Sequence, residues 1–143
     1  MRALFDVNVL IALLDASHAF HRTAMDWLEG AVQCGWASCP ITQNGCIRIM
    51  SNPNYPAPLP AGLVAERLAE AAAGPEHSFW PDDISLLGTH VFDWSYVLSS
   101  RHVTDMYLLA LAVQNEGRLV TFDRRIALQA VSRAETEHLY VLR

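Results

Sequence analysis

The 143-residue chain is 52% hydrophobic and 17% charged, carries a formal net charge of −5, and draws all 10 of its basic residues from arginine. That balance predicts one domain over residues 1–143 with a sizeable core, and excludes a disordered chain or a broad basic clamp for nucleic acid. With no lysine, a P-loop, a Schiff base and a receiver-type switch are excluded too, while a small acidic pocket that recruits cations is permitted.

In chain order, Ala3–Phe5 reads as a short buried strand and Val7–Leu14 as a helix capped by Asp6. Arg2, the apolar run Val7–Leu14 and Ala16-Ser17-His18-Ala19 loosely mimic a signal peptide. Asp6 and Asn8 interrupt that pattern, and the run is too short to span a membrane, so the expectation is a cytoplasmic protein with no membrane partner. His21–Gln33 follows as an amphipathic helix, Trp36–Ser38 as a strand, and Pro40 opens a helix over Ile41–Met50. Cys34, Cys39 and Cys46 lack paired zinc spacing and read as thiols in a reducing compartment. Residues 51–60 form a proline-rich loop, Ala61–Ala73 a helix stopped by Gly74-Pro75, and Ser78–Trp80 a strand, with a short helix near Asp83–Leu87. Thr104–Glu116 is a helix ended by Gly117, Arg118–Phe122 a strand, Arg124–Val131 a helix and His138–Leu142 a last strand. This alternation implies an α/β fold, three layers with a mostly parallel central sheet.

Three aspartates fall at matching points of the alternation. Asp6 ends the first strand, Asp123 ends the strand "RLVTFD", and Asp105 lies in the first turn of the helix feeding that strand. Each alone is explained as a cap or a helix-dipole partner. In a parallel sheet, however, the strand carboxyl ends share one edge, where ligands bind. Like charges gathered there need a proton or a cation, and all-oxygen ligands suit Mg²⁺, or alternatively Mn²⁺. Such a site activates water and stabilises charge developing on a phosphodiester. Asn8 and Thr121 flank the same strand ends and either support the ligands or make local backbone bonds.

The segments "LFDVNVLIALLD", "CPITQNGCIR", "RHVTDMYLLALA" and "LVTFDRRI" together resemble a PIN-domain ribonuclease, and more narrowly the VapC toxins of type II toxin–antitoxin pairs. The resemblance covers nearly the whole chain in order. It implies a PIN-like α/β/α fold, a Mg²⁺-dependent endoribonuclease acting on structured RNA such as transfer or ribosomal RNA, a VapB-type antitoxin partner and a homodimer. Three positions of the family's acidic quartet match Asp6, Asp105 and Asp123. The fourth, a glutamate in the family, is Gln43 here.

Glutamine keeps one carbonyl oxygen but loses the charge and adds an NH₂ that cannot bind a cation. The substitution is engineered, or natural with metal held by three aspartates and water, or the mark of a silent relative that binds an antitoxin without cutting RNA. Alternatively, Gln43 is simply a polar first-turn residue. Arg48, Arg101, Arg124 and Arg125 flank the crevice and are candidates for phosphate contacts, set against ordinary solvated charges. His102 is close to Asp105, but the metal scheme requires no histidine base. The four tryptophans are scattered, which favours packing over a base-stacking platform. Met25, Trp27 and Leu28 form either core or a groove for an antitoxin helix. A phosphatase with Asp6 as nucleophile fits poorly, because Asn8 replaces its usual second aspartate and the lysine is missing.

Overall fold

The computed structural model describes residues Met1–Arg143. Five strands, β1 (Ala3–Phe5), β2 (Trp36–Ser38), β3 (His77–Phe79), β4 (Arg118–Thr121) and β5 (Leu139–Val141), form one sheet in the order β3-β2-β1-β4-β5. Every pairing is parallel, with Leu4 opposite Ala37 on one side and Leu119 on the other. The helices are α1 (Val7–Leu14), α2 (His21–Ala31), α3 (Pro40–Met50), α4 (Ala61–Ala71) and α5 (His102–Gln114). No helix is long and apolar enough to cross a membrane.

The side-chain alternation of the strands sorts the core into two layers. Ala3, Phe5 and Val120 pack with Val9, Leu10, Cys46, Val64 and Leu68 under α1, α3 and α4. The Phe5 ring stacks on Trp36 with centroids 5.5 Å apart and meets Trp27 edge-on at 5.8 Å. On the other face, Leu4 and Leu119 pack against α5, where Met106 through Ala112 are all buried. A helix apolar on every side must be covered on both, and Ile84, Leu86, Val97 and Ile126 supply the outer cover. The three-layer expectation therefore holds, and the sheet is parallel throughout.

Most element boundaries shift by only one or two residues. The second helix gives way at Val32–Cys34 to a 3₁₀ turn, because Gly35 follows with a φ of 77° that ends right-handed helix. Two expected helices are corrected. Residues Asp83–Leu87 are not helical: Ile84 and Leu86 turn toward α5 while Ser85 and Leu87 are exposed, an extended alternation. Residues Arg124–Val131 hold only a 3₁₀ turn at Leu128–Ala130. An antiparallel bridge between Phe92 and Val131 and the bond from Asp93 N–H to the Ala130 carbonyl hold that stretch flat, overriding its helical composition.

Candidate active site

The strand order reverses at β1, since the chain runs outward through β2 and β3 and returns on the opposite side as β4. The crevice beyond β1 and β4 is thus the topological switch point, where open α/β sheets bind ligands. Asp6 follows directly on β1, and Asp123 lies two residues past the end of β4.

Asp6 is the N-cap of α1, its carboxylate accepting from Val7 N–H at 2.7 Å, and only 6% of the residue is exposed. Its second oxygen accepts from the buried Thr121 hydroxyl at 2.7 Å. The same hydroxyl oxygen accepts the Asp123 backbone N–H at 3.0 Å and the Asn8 amide at 3.4 Å. Asn8 returns a carbonyl to Phe122 N–H at 3.3 Å. Thr121 is therefore a hub that locks β1 to β4 and sets the two aspartates on one edge. Asp123 accepts from the Arg125 backbone N–H at 2.8 Å and from its guanidinium at 3.3 Å. Asp105 lies in the first turn of α5, as expected, and faces the same edge.

The electrostatics tie the three carboxylates together. Burial pushes Asp105 up to about 7, and the charges of Asp6 and Asp123 push the same way. Burial also raises Asp6, with the Thr121 and Val7 donors opposing it. Asp123 is buried enough to be pushed upward, yet the Arg125 donors and charge outweigh that and hold it below the usual carboxylate range. Asp105 and Asp123 perturb each other, which raises Asp105 further and lowers Asp123. The acids do not close around a single point as a ready-made cation cage. As a donor set they are nonetheless hard oxygens whose mutual repulsion a divalent cation would relieve.

A groove of about 610 Å³ opens beside them, lined by Asp6, Asp105, Asn44, Arg48, Asp82 and Thr104. Its floor depends on Gly45, where an added Cβ would sit 2.6 Å from Val7 Cγ2, so only glycine allows α3 this close to α1. Another cavity of about 610 Å³, between α1, the proline-rich loop and α4, gathers no acids beyond Asp15, which Tyr55 binds.

Gln43 does not line the groove. Its amide donates to the buried Ser38 hydroxyl at 3.0 Å, and Ser38 bonds His77 Nε2 at 2.8 Å. Burial and the nearby Arg2 charge lower His77, which favours its neutral ring beside Ser38. Three polar groove residues escaped the sequence reading, Asn44, Asp82 and Thr104. Asn44 is one residue past Gln43 on a helix whose exact phase was not legible. Asp82 follows Pro81 in an irregular loop and reaches α3 to accept Ile41 N–H at 3.2 Å. Only the run of two acids, Asp82-Asp83, signalled it. Arg48 lines the groove, Arg125 braces Asp123, and Arg101 and Arg124 are exposed nearby in sequence without an ion pair. The three cysteines are unpaired, with Cys39 and Cys46 buried.

The comparisons with known proteins agree with this geometry. Residues 3–133 match the PIN domain family. Ribonuclease VapC44 of Mycobacterium tuberculosis is 50% identical over 142 residues, covering 99% of this chain and 100% of the relative. Ribonuclease VapC39 of the same organism is 43% identical over 129 residues, 89% of this chain and 92% of the relative. The crystal structure of VapBC2 from Rickettsia felis bound to a DNA fragment from their promoter superposes over the full length of both chains with a TM-score of 0.60 at 12% identity, a likeness of fold. The chain is a member of the PIN-domain family and, within it, of the VapC ribonucleases.

Proposed function

We propose that this protein is a VapC-type toxin that hydrolyses phosphodiester bonds in structured RNA, with a Mg²⁺ or Mn²⁺ ion held by Asp6, Asp105 and Asp123. The observation that carries the reading is the three interacting carboxylates at the switch point, one of them raised to about 7. When bound, the cation supplies Lewis acidity and a water ionised near neutral pH. The chain's own residues do the positioning. Thr121 and the Val7 N–H at the α1 N-terminus oppose the rise that burial imposes on Asp6, and Arg125 fixes Asp123. Asn8 keeps the β1 and β4 ends in register. Arg48 offers a guanidinium to a phosphate entering the groove, and Arg101, Arg124 and Arg125 extend the basic contacts on the exposed side.

Gln43 is on the first turn of α3 at this sheet edge, and its missing charge lowers metal affinity relative to a glutamate. The partner in this reading is a VapB-type antitoxin. An apolar cavity of about 360 Å³ between α1, α2 and α4, lined by Leu13, Leu14, Met25, Leu28 and Val32, has the chemistry to receive an apolar helix face. Trp27 packs against Phe5 and Tyr140 at its border. A homodimer and a cytoplasmic location complete the proposal.

Incubating total RNA with the protein and its Gln43→Glu variant, with Mg²⁺ and then with EDTA, tests it. Metal-dependent fragments from the parent support the nuclease. Cleavage by the variant alone identifies Gln43 as a silencing residue, and the parent then acts by binding antitoxin. No cleavage by either overturns the enzymatic reading.

A further inference from the structure

The groove beside the carboxylates holds three polar side chains that the fold does not use. Asn44, Arg48 and Thr104 are exposed and line it together with Asp6 and Asp105. The other carboxamides at this sheet edge are engaged: Gln43 donates to Ser38, and Asn8 bonds Thr121 and Phe122. The Asn44 amide and the Thr104 hydroxyl have no such partner, and Arg48 forms no ion pair. Asparagine is a poor helix former, kept at caps and turns by bonds to nearby backbone. Gly45 beside it is explained by the close approach of Val7, whereas nothing in the packing of α3 calls for Asn44. Arg48, in the last turn of α3, also suits the helix dipole, but Asn44 and Thr104 have no such explanation.

The dimensions of the groove supply the second argument. Asn44 and Arg48 are four residues apart and so share one face of α3, while Thr104 comes from α5, next to Asp105. The α3 wall runs from Pro40 to Ile49, about 13 Å at 1.5 Å per residue, whereas a stacked strand advances about 3.4 Å per phosphate. At about 610 Å³ the groove also has the size of a site for a whole small ligand, more than one phosphate and a cation fill. Asp82 is committed to Ile41 N–H at the N-terminal end of α3, which leaves Arg48, about two turns along, as the positive end of the groove. Guanidinium, carboxamide and hydroxyl are all donors to phosphate oxygens.

We propose that Asn44, Arg48 and Thr104 form a second phosphate subsite, which holds the phosphodiester next to the one being cut and so lays the RNA along α3. This rests on the ribonuclease reading above. Arg48 supplies the charge and a planar fork that matches two phosphate oxygens. Asn44 and Thr104 add neutral donors from the two walls of the groove. With the neighbouring phosphate anchored, the scissile one meets Asp6 and Asp105 in a set register, and less freedom is lost on reaching the reactive geometry. The three are positioning residues and take no part in breaking the bond.

The test reads the register of the strand. An RNA oligonucleotide spanning a cut made in total RNA, by the parent or by Gln43→Glu if only that form cleaves, is made with an uncharged methylphosphonate at each linkage near the cut in turn. Variants are made in whichever form cleaves. Neutralising one linkage adjacent to the cut is expected to raise KM about 10-fold or more, with a smaller effect on kcat. Arg48→Ala is expected to raise KM about as much on the unmodified RNA and to lose nothing further on that modified strand, and Arg48→Lys to recover part of the loss. Asn44→Ala and Thr104→Val are each expected to raise KM about 3- to 10-fold. Mn²⁺ affinity by calorimetry is expected to stay within about twofold of the starting form in every variant, the sign of an intact fold and metal site. If KM is unchanged in Arg48→Ala, or its penalty multiplies with that of the methylphosphonate at every linkage, the subsite is overturned while the nuclease stands. Variants that lose Mn²⁺ affinity belong instead to the metal site or the fold, and the subsite is again overturned. Cleavage by no form removes the ribonuclease reading and the subsite with it.

Discussion

Replacing Thr121 by valine isolates the hub of the site, because the side chains are nearly isosteric and Thr121 is fully buried. The change deletes a 2.7 Å donor to the Asp6 carboxylate and leaves Asp123 N–H and the Asn8 amide without their shared acceptor. A hydrogen bond to a buried charge is worth about 1.5–3 kcal/mol, and an orphaned donor adds about 1 kcal/mol or more, so a total of roughly 3 kcal/mol is expected. The pH dependence is the signature. Burial already raises Asp6 above its ordinary value of 3.8, so its protonation favours the folded state, and that contribution is lost as pH rises through the folded value. Thr121 works against the rise, so Thr121→Val moves the folded value higher still. The cost of the substitution should therefore be lowest in acid, where only the orphaned donors contribute, and grow as pH climbs above 3.8. Urea denaturation of both proteins in EDTA across this range measures it, from the shift in midpoint at constant slope. A pH-independent difference, or one below about 0.5 kcal/mol, would refute the assignment of Thr121 as the donor that opposes the rise in Asp6.

Other residues give sharper local outcomes. Asp82→Ala removes the side chain that caps Ile41 N–H, and should lower stability by about 0.5–2 kcal/mol, read by the same denaturation. Tyr55→Phe removes the hydroxyl that is the first cause of the lowered Asp15 value. In the parent, Asp15 contributes stability above 3.8 that is lost as pH falls through its depressed folded value, and NMR titration of the variant should find Asp15 back near 3.8. Gln43→Glu should tighten Mn²⁺ binding in a calorimetric titration, because it restores a ligand charge at the sheet edge. An unchanged affinity would mean that the bond to Ser38 keeps position 43 out of the donor set.

The elements that local pattern can specify were legible. The Asp6 cap, Pro40 at the first turn of α3 and the apolar run of α5 each carry their cause within a few residues. The sheet edge followed from the strand–helix alternation, and with it the grouping of Asp6, Asp105 and Asp123. What was not legible depended on distant partners. Arg124–Val131 has a helical composition, but the bridge to Phe92 flattens it. Asp82 acts on α3 across 41 residues of sequence. Tyr96 reaches a recess beside Asp105 only because Asp93 is tied to Ala130. Gln43 was read from its position in a motif, which carries no information on side-chain direction, and the hydroxyl of Ser38 decides that direction.

The central claim is that Asp105 helps to hold the cation that cuts RNA. The direct measurement is the initial rate of RNA cleavage by the parent and by Asp105→Asn, side by side in Mg²⁺. The amide removes a charge from the donor set without changing its size. A loss of roughly 100-fold or more, about 3 kcal/mol of transition-state stabilisation, is expected. Equal rates in the two proteins would contradict it.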